Sequence, residues 1–355
     1  MKKLLSLILA LVMVITLSGC DRFLPLKLDT ALDEVKLRVH FIDVGQGDSI
    51  LLESKGEFVL VDAGEKEYGE TVLDYINSCC ADRLKYMVAT HPHTDHIGGL
   101  RTVLDGIDTE SFITVETDQD TTTWKKLLRA VDDNDVNYID AVPGKSYRFG
   151  EAKFTILAPL GDNYEGYNNY SVVMMVQCGD IRFLLTGDAE KESEKEMLGS
   201  GMDLSADVLK CGHHGSSTSS TAPFLKAVNP SYAIISCGKD NDYGHPHPGT
   251  VKKLTLMGCN ILRTDTMGTI VASTDGKHLS FSTERGSTQL PTYGADAEKK
   301  NAGDALNYIG NRRSGVFHYA KCQGVEMMKE KNKVPFDTRE EAIKAGYKPC
   351  ELCNP

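Results

Sequence analysis

The chain has 355 residues, 41% apolar and 25% charged, the balance of a globular protein. That composition excludes a disordered, collagenous or multi-span membrane chain. The net charge of −11, from 39 basic and 50 acidic residues, excludes a protein that coats duplex DNA with its whole surface.

The chain opens Met1-Lys2-Lys3 and continues with an apolar stretch over 4–17. A basic start and a short apolar run describe a secretory signal. The run falls short of the roughly 20 residues that cross a bilayer as a helix. Leu17-Ser18-Gly19-Cys20 resembles the lipobox of bacterial lipoproteins. That resemblance implies a signal peptide over 1–19, lipid on Cys20 and a tether over 20–36. The location implied is extracytoplasmic, membrane-anchored or else secreted.

From 37 onward short strand signals alternate with helical ones. Leu37, Val39 and Phe41 alternate with Arg38 and His40. Strands are expected at 49–52, 58–61, 84–89, 153–157 and 207–210, and a hairpin at 172–186 across Gly179-Asp180. Helices are expected to end near 80 and to span 124–131, 191–198 and 250–256. This is an α/β body over 37–284. Residues 285–305 turn polar and aperiodic and read as a linker. Residues 306–355 form a compact closing module.

His91-x-His93-x-Asp95-His96 packs four ligand-type residues into one loop after a strand. Imidazoles with a carboxylate suit divalent transition metals. His91 and His93 are expected at one cation and Asp95 and His96 at a second. Gly45 and Gly47 permit a tight turn. His245 and His247, set among prolines, are expected in an extended, exposed loop.

That cluster resembles the signature of the metallo-β-lactamase superfamily. His40 to Ser49, with Asp43-Val44-Gly45-Gln46-Gly47-Asp48 at its centre, is similar to the opening motif of the ComEC/Rec2 type. Asn169-Tyr170-Ser171, Leu185-Thr186-Gly187-Asp188, Lys210-Cys211-Gly212-His213-His214-Gly215-Ser216 and Tyr243-Gly244-His245-Pro246 follow in the family's order. The resemblance implies a four-layer αββα sandwich with one or two divalent metals, Zn or Mn, at one edge. Asp188 is the implied bridging carboxylate. No histidine lies between His96 and His213, where many members place one more ligand. An Asn or a water is expected to complete the first site, leaving it the weaker. His213 and His214, being adjacent, are expected to point apart, one to metal and one to substrate. The residues leave open which is which. Asp95 is expected to orient a metal-activated water, and His245 to bind phosphate or protonate the leaving group. Asn169, Ser171 and Ser216 are expected at the substrate.

His318-x₃-Cys322 and Cys350-x₂-Cys353 supply three thiolates and an imidazole, a closed set for one structural Zn. Their surroundings resemble the metal-binding domain of the DNA-methylation repair protein Ada. Members carry four cysteines, and the first accepts a methyl group from DNA. His318 stands in that place and lacks the thiolate nucleophile, so methyl repair is not expected. Nine basic against six acidic residues make this module locally positive, with Arg312, Arg313, Lys321, Lys329, Lys331 and Lys333 available to phosphates. The other cysteines, Cys79, Cys80, Cys178, Cys211, Cys237 and Cys259, read as buried thiols, with no disulfide pattern. Together these features lead to an exported, tethered phosphodiesterase or nuclease acting on DNA, without a nucleotide cofactor. Beyond the leader no apolar run reaches 18 residues, so a stand-alone hydrolase is expected rather than a channel. Two rivals remain: a cell-envelope phosphorylcholine esterase or lactone hydrolase, and a non-catalytic extracellular DNA receptor.

Overall fold

The computed structural model describes residues 32, 34–285, 293–294 and 308–350, apart from 320, 321, 323, 324, 326, 327 and 337. The expected leader, the lipidation site Cys20, the basic residue Lys321 and the zinc ligand Cys353 lie outside the described residues.

In chain order the strands are β1 (Leu37–Phe41), β2 (Ile50–Ser54), β3 (Glu57–Val61), β4 (Arg83–Val88), β5 (Asp108–Thr114), β6 (Asn137–Asp140), β7 (Ser146–Phe149) and β8 (Ala152–Ala158). Then come β9 (Val173–Cys178), β10 (Ile181–Leu185), β11 (Val208–Lys210), β12 (Tyr232–Ile235), β13 (Asn260–Arg263), β14 (Ile270–Thr274), β15 (His278–Thr283) and β16 (Tyr293–Gly294). They build two sheets, ordered β16-β15-β14-β1-β2-β3-β4-β5-β6 and β13-β12-β11-β10-β9-β8-β7. The sheets face each other, and helices cover both outer sides.

Strand periodicity of two explains the layering. In β3, Val59 and Val61 enter the core between the sheets, while Phe58 and Leu60 face helices Gly69–Ser78, Leu100–Gly106 and Thr122–Asp133. In β10, Phe183 and Leu185 enter the same central core. Leu184 faces the opposite helical layer, made by Lys191–Gly199, Ala222–Val228 and Pro248–Leu256. Both faces of each sheet are therefore buried, and these strands read as continuous apolar runs rather than alternating ones.

Strands β3 to β6 run parallel, as do β10 to β13. The loops that leave β3, β4, β10, β11 and β12 emerge at one edge of the sandwich. In open α/β sheets ligands bind beyond such carboxyl ends.

Three expectations need correction. Tyr293–Gly294, inside the expected linker, pairs with β15 and extends the first sheet. Cys80 is exposed and disulfide-bonded rather than a buried thiol. His245 is buried, not exposed, and its backbone is held by Asn241, whose side chain bonds both His245 N and His245 O.

The closing module is a sheet ordered β19-β17-β18-β20, from β17 (Tyr308–Asn311), β18 (Val316–Tyr319), β19 (Lys333–Phe336) and β20 (Lys348–Pro349), with helix Arg339–Lys344. Its buried core among the described residues is small: Tyr308, Phe317 and Ala342. Cys322, Val325, Met328 and Cys350 pack with Leu256 of the preceding body. Among the described residues no helix is long and apolar enough to cross a membrane.

Phe154 is fully buried between the sheets, against Tyr86, Tyr147 and Phe149. Phe154→Ala is expected to cost about 3–5 kcal/mol. Urea unfolding checks this as a lowered midpoint at unchanged slope.

Candidate metal centre

The loop after β4 carries His91 and His93, and the short helix Thr94–Ile97 that follows carries Asp95 and His96. The loop after β10 carries Asp188, and the one after β11 carries His213 and His214. All of them converge on Asp188. Its Oδ1 lies 3.2 Å from His96 Nε2. Its Oδ2 lies 3.5 Å from His214 Nε2, 3.8 Å from His91 Nε2 and 3.9 Å from His213 Nε2. Ser171 Oγ accepts a 3.0 Å bond from the Asp188 backbone N–H and fixes the carboxylate's stem.

Asp95, His96, Asp188 and His214 offer ligand atoms that all lie within 4.8 Å of one another. His91 Nε2 and His93 Nδ1 approach to 3.0 Å on the other side of Asp188. His96 Nε2 and Asp188 Oδ1 are buried and have no hydrogen-bond partner. They face each other at 3.2 Å as an ion pair, and the same imidazole and carboxylate atoms belong to a four-residue set close enough to hold one cation. The donor set of imidazoles and carboxylates fits Zn or Mn chemically.

The adjacent histidines do not point apart. His213 and His214 both adopt left-handed backbone, with φ of 49° and 53°. Two consecutive left-handed residues turn the loop so that both Nε2 atoms reach Asp188 Oδ2. Such conformations are strained and persist where surroundings over-determine them. His213 thus faces the same carboxylate oxygen as His91 and His214, so both adjacent histidines are turned to Asp188.

A second layer holds the other ring nitrogens, as is usual around metal-binding histidines. His96 Nδ1 donates to Asp62 Oδ2 at 2.8 Å, and Asp62 accepts from Thr90 N and Oγ1. His214 Nδ1 donates to the Ser236 carbonyl at 3.0 Å. His213 Nδ1 meets Glu190 Oε1 at 3.0 Å. Lys210, wholly buried, pairs with Asp48 Oδ2 at 2.5 Å, and Asp48 Oδ1 lies 3.4 Å from His214 Nδ1. Sequence patterns missed Asp48, Asp62, Glu190 and Lys210 as supports. Asp48 and Lys210 did fall inside the family-like motifs, and Asp62 ends the apolar run Leu60-Val61, but none of these patterns assigned a support role.

The electrostatics follow from burial and proximity. Burial pushes His91 well below the ordinary imidazole value, with His96 adding to the effect. Burial opposes charge on His96 and His214 too, but there the carboxylates win, Asp188 first, and both are raised. Burial alone would raise Asp188, yet His214 and His96 hold it well below the carboxylate range. The His213 contact holds Glu190 down to about 2.

The residues expected at the substrate lie elsewhere. Asn169 is buried, and its Oδ1 accepts from Glu190 N and Ser193 N at the start of helix Lys191–Gly199. Ser171 is buried behind Asp188 and His91. Ser216 Oγ is taken by Thr218. Hydrogen bonding to protein groups, not to the cleft, is their physical role. His247 Nδ1 accepts from Ser217 N and pins the neighbouring loop. Asn168, unremarked in the sequence, lines the cleft instead and donates to Glu190.

A cleft of about 350 Å³ opens above the ligands, lined by Gln46, Asp95, Asn168, His213, Tyr243 and His245 among others. Gln46 Oε1 accepts from Gly238 N at 3.1 Å, which turns its amide N–H toward His245 Nδ1 at 3.5 Å. That leaves the His245 proton on Nε2. Burial, then repulsion from His213, His214 and His247, lowers His245 to about 4.

At the other end of the chain, His318, Cys322 and Cys350 are buried with ligand atoms within 4.8 Å of one another. His318 Nδ1 has no hydrogen-bond partner although buried. The set fits a structural zinc, with Cys353 the expected fourth ligand.

The family model of the metallo-beta-lactamase superfamily matches residues 42–239, more than half of the chain. The metal binding domain of Ada matches 292–355. ComE operon protein 3 of Bacillus subtilis is 32% identical over 251 residues, 65% of this chain and 32% of that protein. Competence protein ComA of Neisseria gonorrhoeae is 28% identical, over 72% of this chain and 34% of that protein. Recombination protein 2 of Haemophilus influenzae is 30% identical, over 61% of this chain and 26% of that protein. The chain spans about a third of the length of these relatives.

Asp62→Asn is expected to lower metal affinity about 10- to 100-fold, by releasing the His96 ring from its anchor. Competition with a chromophoric chelator measures this, and unchanged affinity would refute the support role.

Proposed function

Because the chain belongs to the metallo-beta-lactamase superfamily and ends in an Ada-type metal-binding segment, we propose that it is an exported, metal-dependent phosphodiesterase that cuts DNA. The observation that carries this reading is the meeting of two ligand groups at Asp188, beneath an open polar cleft. Asp95, His96, Asp188 and His214 would hold a divalent cation, which would supply a water of near-neutral pKa and polarisation of a phosphoryl oxygen. Asp95, a quarter exposed to the cleft, orients the attacking water. Neutral His245 donates Nε2–H to a phosphoryl oxygen. With its value near 4 it is a hydrogen-bond donor at neutral pH rather than a proton reservoir.

The cleft lining favours a phosphodiester over the rival esters. A lactone's acyl chain needs an apolar wall, and a choline head needs an aromatic cage. Gln46, Gln119, Thr121 and Asn168 supply neither, and Tyr243 is the one aromatic wall residue besides the imidazoles. The relatives named for competence and recombination support DNA as the diester. Lipid at Cys20 would hold the enzyme outside the membrane. Exposed Arg312, Arg313, Lys329 and Lys331 would bring the closing module to phosphates.

The test is cleavage of single- and double-stranded DNA by the full chain with Zn²⁺ or Mn²⁺. Asp95→Ala is expected to lose on the order of 10³-fold in rate. Cleavage of bis(p-nitrophenyl) phosphate without cleavage of any DNA would sink the nuclease reading. DNA binding without hydrolysis of either would favour a receptor.

His245→Gln is expected to lower kcat on the order of 100-fold. The factor should stay constant from pH 5.5 to 8, because the wild-type ring is neutral throughout that window. A factor that shrinks as pH rises through 7 would instead reveal a protonated acid. Arg312→Ala with Arg313→Ala should weaken DNA binding for all sequences alike and reduce the salt slope by about 2.

A further inference from the structure

Beside the metal cleft lies a larger one of about 1000 Å³, lined by Gln46, Gly238, Lys239, Asn241 and Arg285 among others. The two share Gln46 and the loop 238–245 as a common wall. Asn241 braces that loop. Its Nδ2 donates to the carbonyls of Gly238 and His245, and its Oδ1 accepts from His245 N.

The braced loop holds Tyr243 outward, 67% exposed, at the mouth of the metal cleft. Its ring lies nearly parallel to that of His245, with centroids 5.7 Å apart and planes at 21°. The outer face of Tyr243 is therefore an open aromatic platform, backed by an imidazole that faces the reaction site. On the other side of the wall, the acids that line the larger cleft are already neutralised, while Asp240 and Asp242 of the loop itself are exposed. Asp43 pairs with Arg285, and Asp265 with Arg263. Lys239 is exposed and has no carboxylate partner among the described residues. An uncommitted cation and an aromatic platform on one rigid loop match a phosphate and the base beside it.

We propose that loop 238–245 is a flanking-nucleotide subsite, stacking an unpaired base on Tyr243 and drawing the next phosphate of the strand to Lys239 in the larger cleft. This rests on the nuclease reading and narrows its substrate to a single strand, because a paired base has no free face for Tyr243. Rigidity matters here: the loop's shape is fixed before binding, so stacking pays no further ordering cost.

The test is the affinity of the full chain for a fluorescein-labelled single-stranded oligonucleotide, read by anisotropy. Tyr243→Ala and Lys239→Glu are each expected to weaken binding about tenfold, and Tyr243→Trp to keep it. The Tyr243→Ala loss should vanish for an oligonucleotide of abasic residues. Unchanged affinity in Tyr243→Ala, or equal loss on the abasic strand, overturns the subsite even if DNA is cut. Stacking-dependent binding without cleavage would keep the subsite and defeat the nuclease reading.

Discussion

One buried carboxylate organises the molecule. Asp188 is 2% exposed and is faced by the Nε2 atoms of four histidines. Taking that charge and those rings out of water costs several kcal/mol per ion unless each polar atom finds a partner. The fold meets the cost in two shells. Three of the four rings have a carboxylate or carbonyl at the other nitrogen: Asp62 for His96, Ser236 O for His214, Glu190 for His213. His91 is held by the hydroxyls of Thr90 and Ser171. His96 Nε2 and Asp188 Oδ1 pair with each other at 3.2 Å, and a cation held by Asp95, His96, Asp188 and His214 would take over that contact.

The backbone is bent to make this possible. His213, His214 and Asp62 all sit at positive φ without being glycine. Gly47 has φ +147°, and a Cβ there would collide with the carbonyl of Asp95. Asp48 N, one residue on, bonds that same carbonyl at 3.2 Å. The opening loop thus buttresses the ligand loop from behind. Lys210 neutralises Asp48 beneath them, so the deepest layer carries balanced charge rather than a bare carboxylate. Strain of this kind survives only on rigid supports, here the ends of parallel strands buried on both faces.

The closing module solves a different problem. Its described apolar core is a handful of side chains, too few to outweigh chain entropy alone. A zinc at His318, Cys322 and Cys350 would supply the missing stability, and contact with Leu256 ties the module to the larger body. Arg312, Arg313, Lys329 and Lys331 of the module are exposed.

The sequence by itself determined the ligand types and the α/β class. His91-x-His93-x-Asp95-His96 is dense enough to announce metal, while the four layers came from the family resemblance of the motifs and not from periodicity. Strands β1 to β4 and β8 to β11 were legible from local pattern, whereas β5 to β7, β12 to β15 and the strands of the closing module were not. The support roles of Asp62, Asp48 and Lys210 were not legible either: Asp62 looks like any charged residue at a strand end, and the motifs that contain Asp48 and Lys210 say nothing of which partner each one meets. Asn169, Ser171 and Ser216 looked like substrate groups because motif proximity says nothing of direction. Only the tertiary structure decided that His213 and His214 converge, that His245 is buried, and that Tyr243 stands exposed at the cleft. Each of those outcomes depends on a φ angle, a backbone turn or a contact between distant segments, and none of these is written in local spacing.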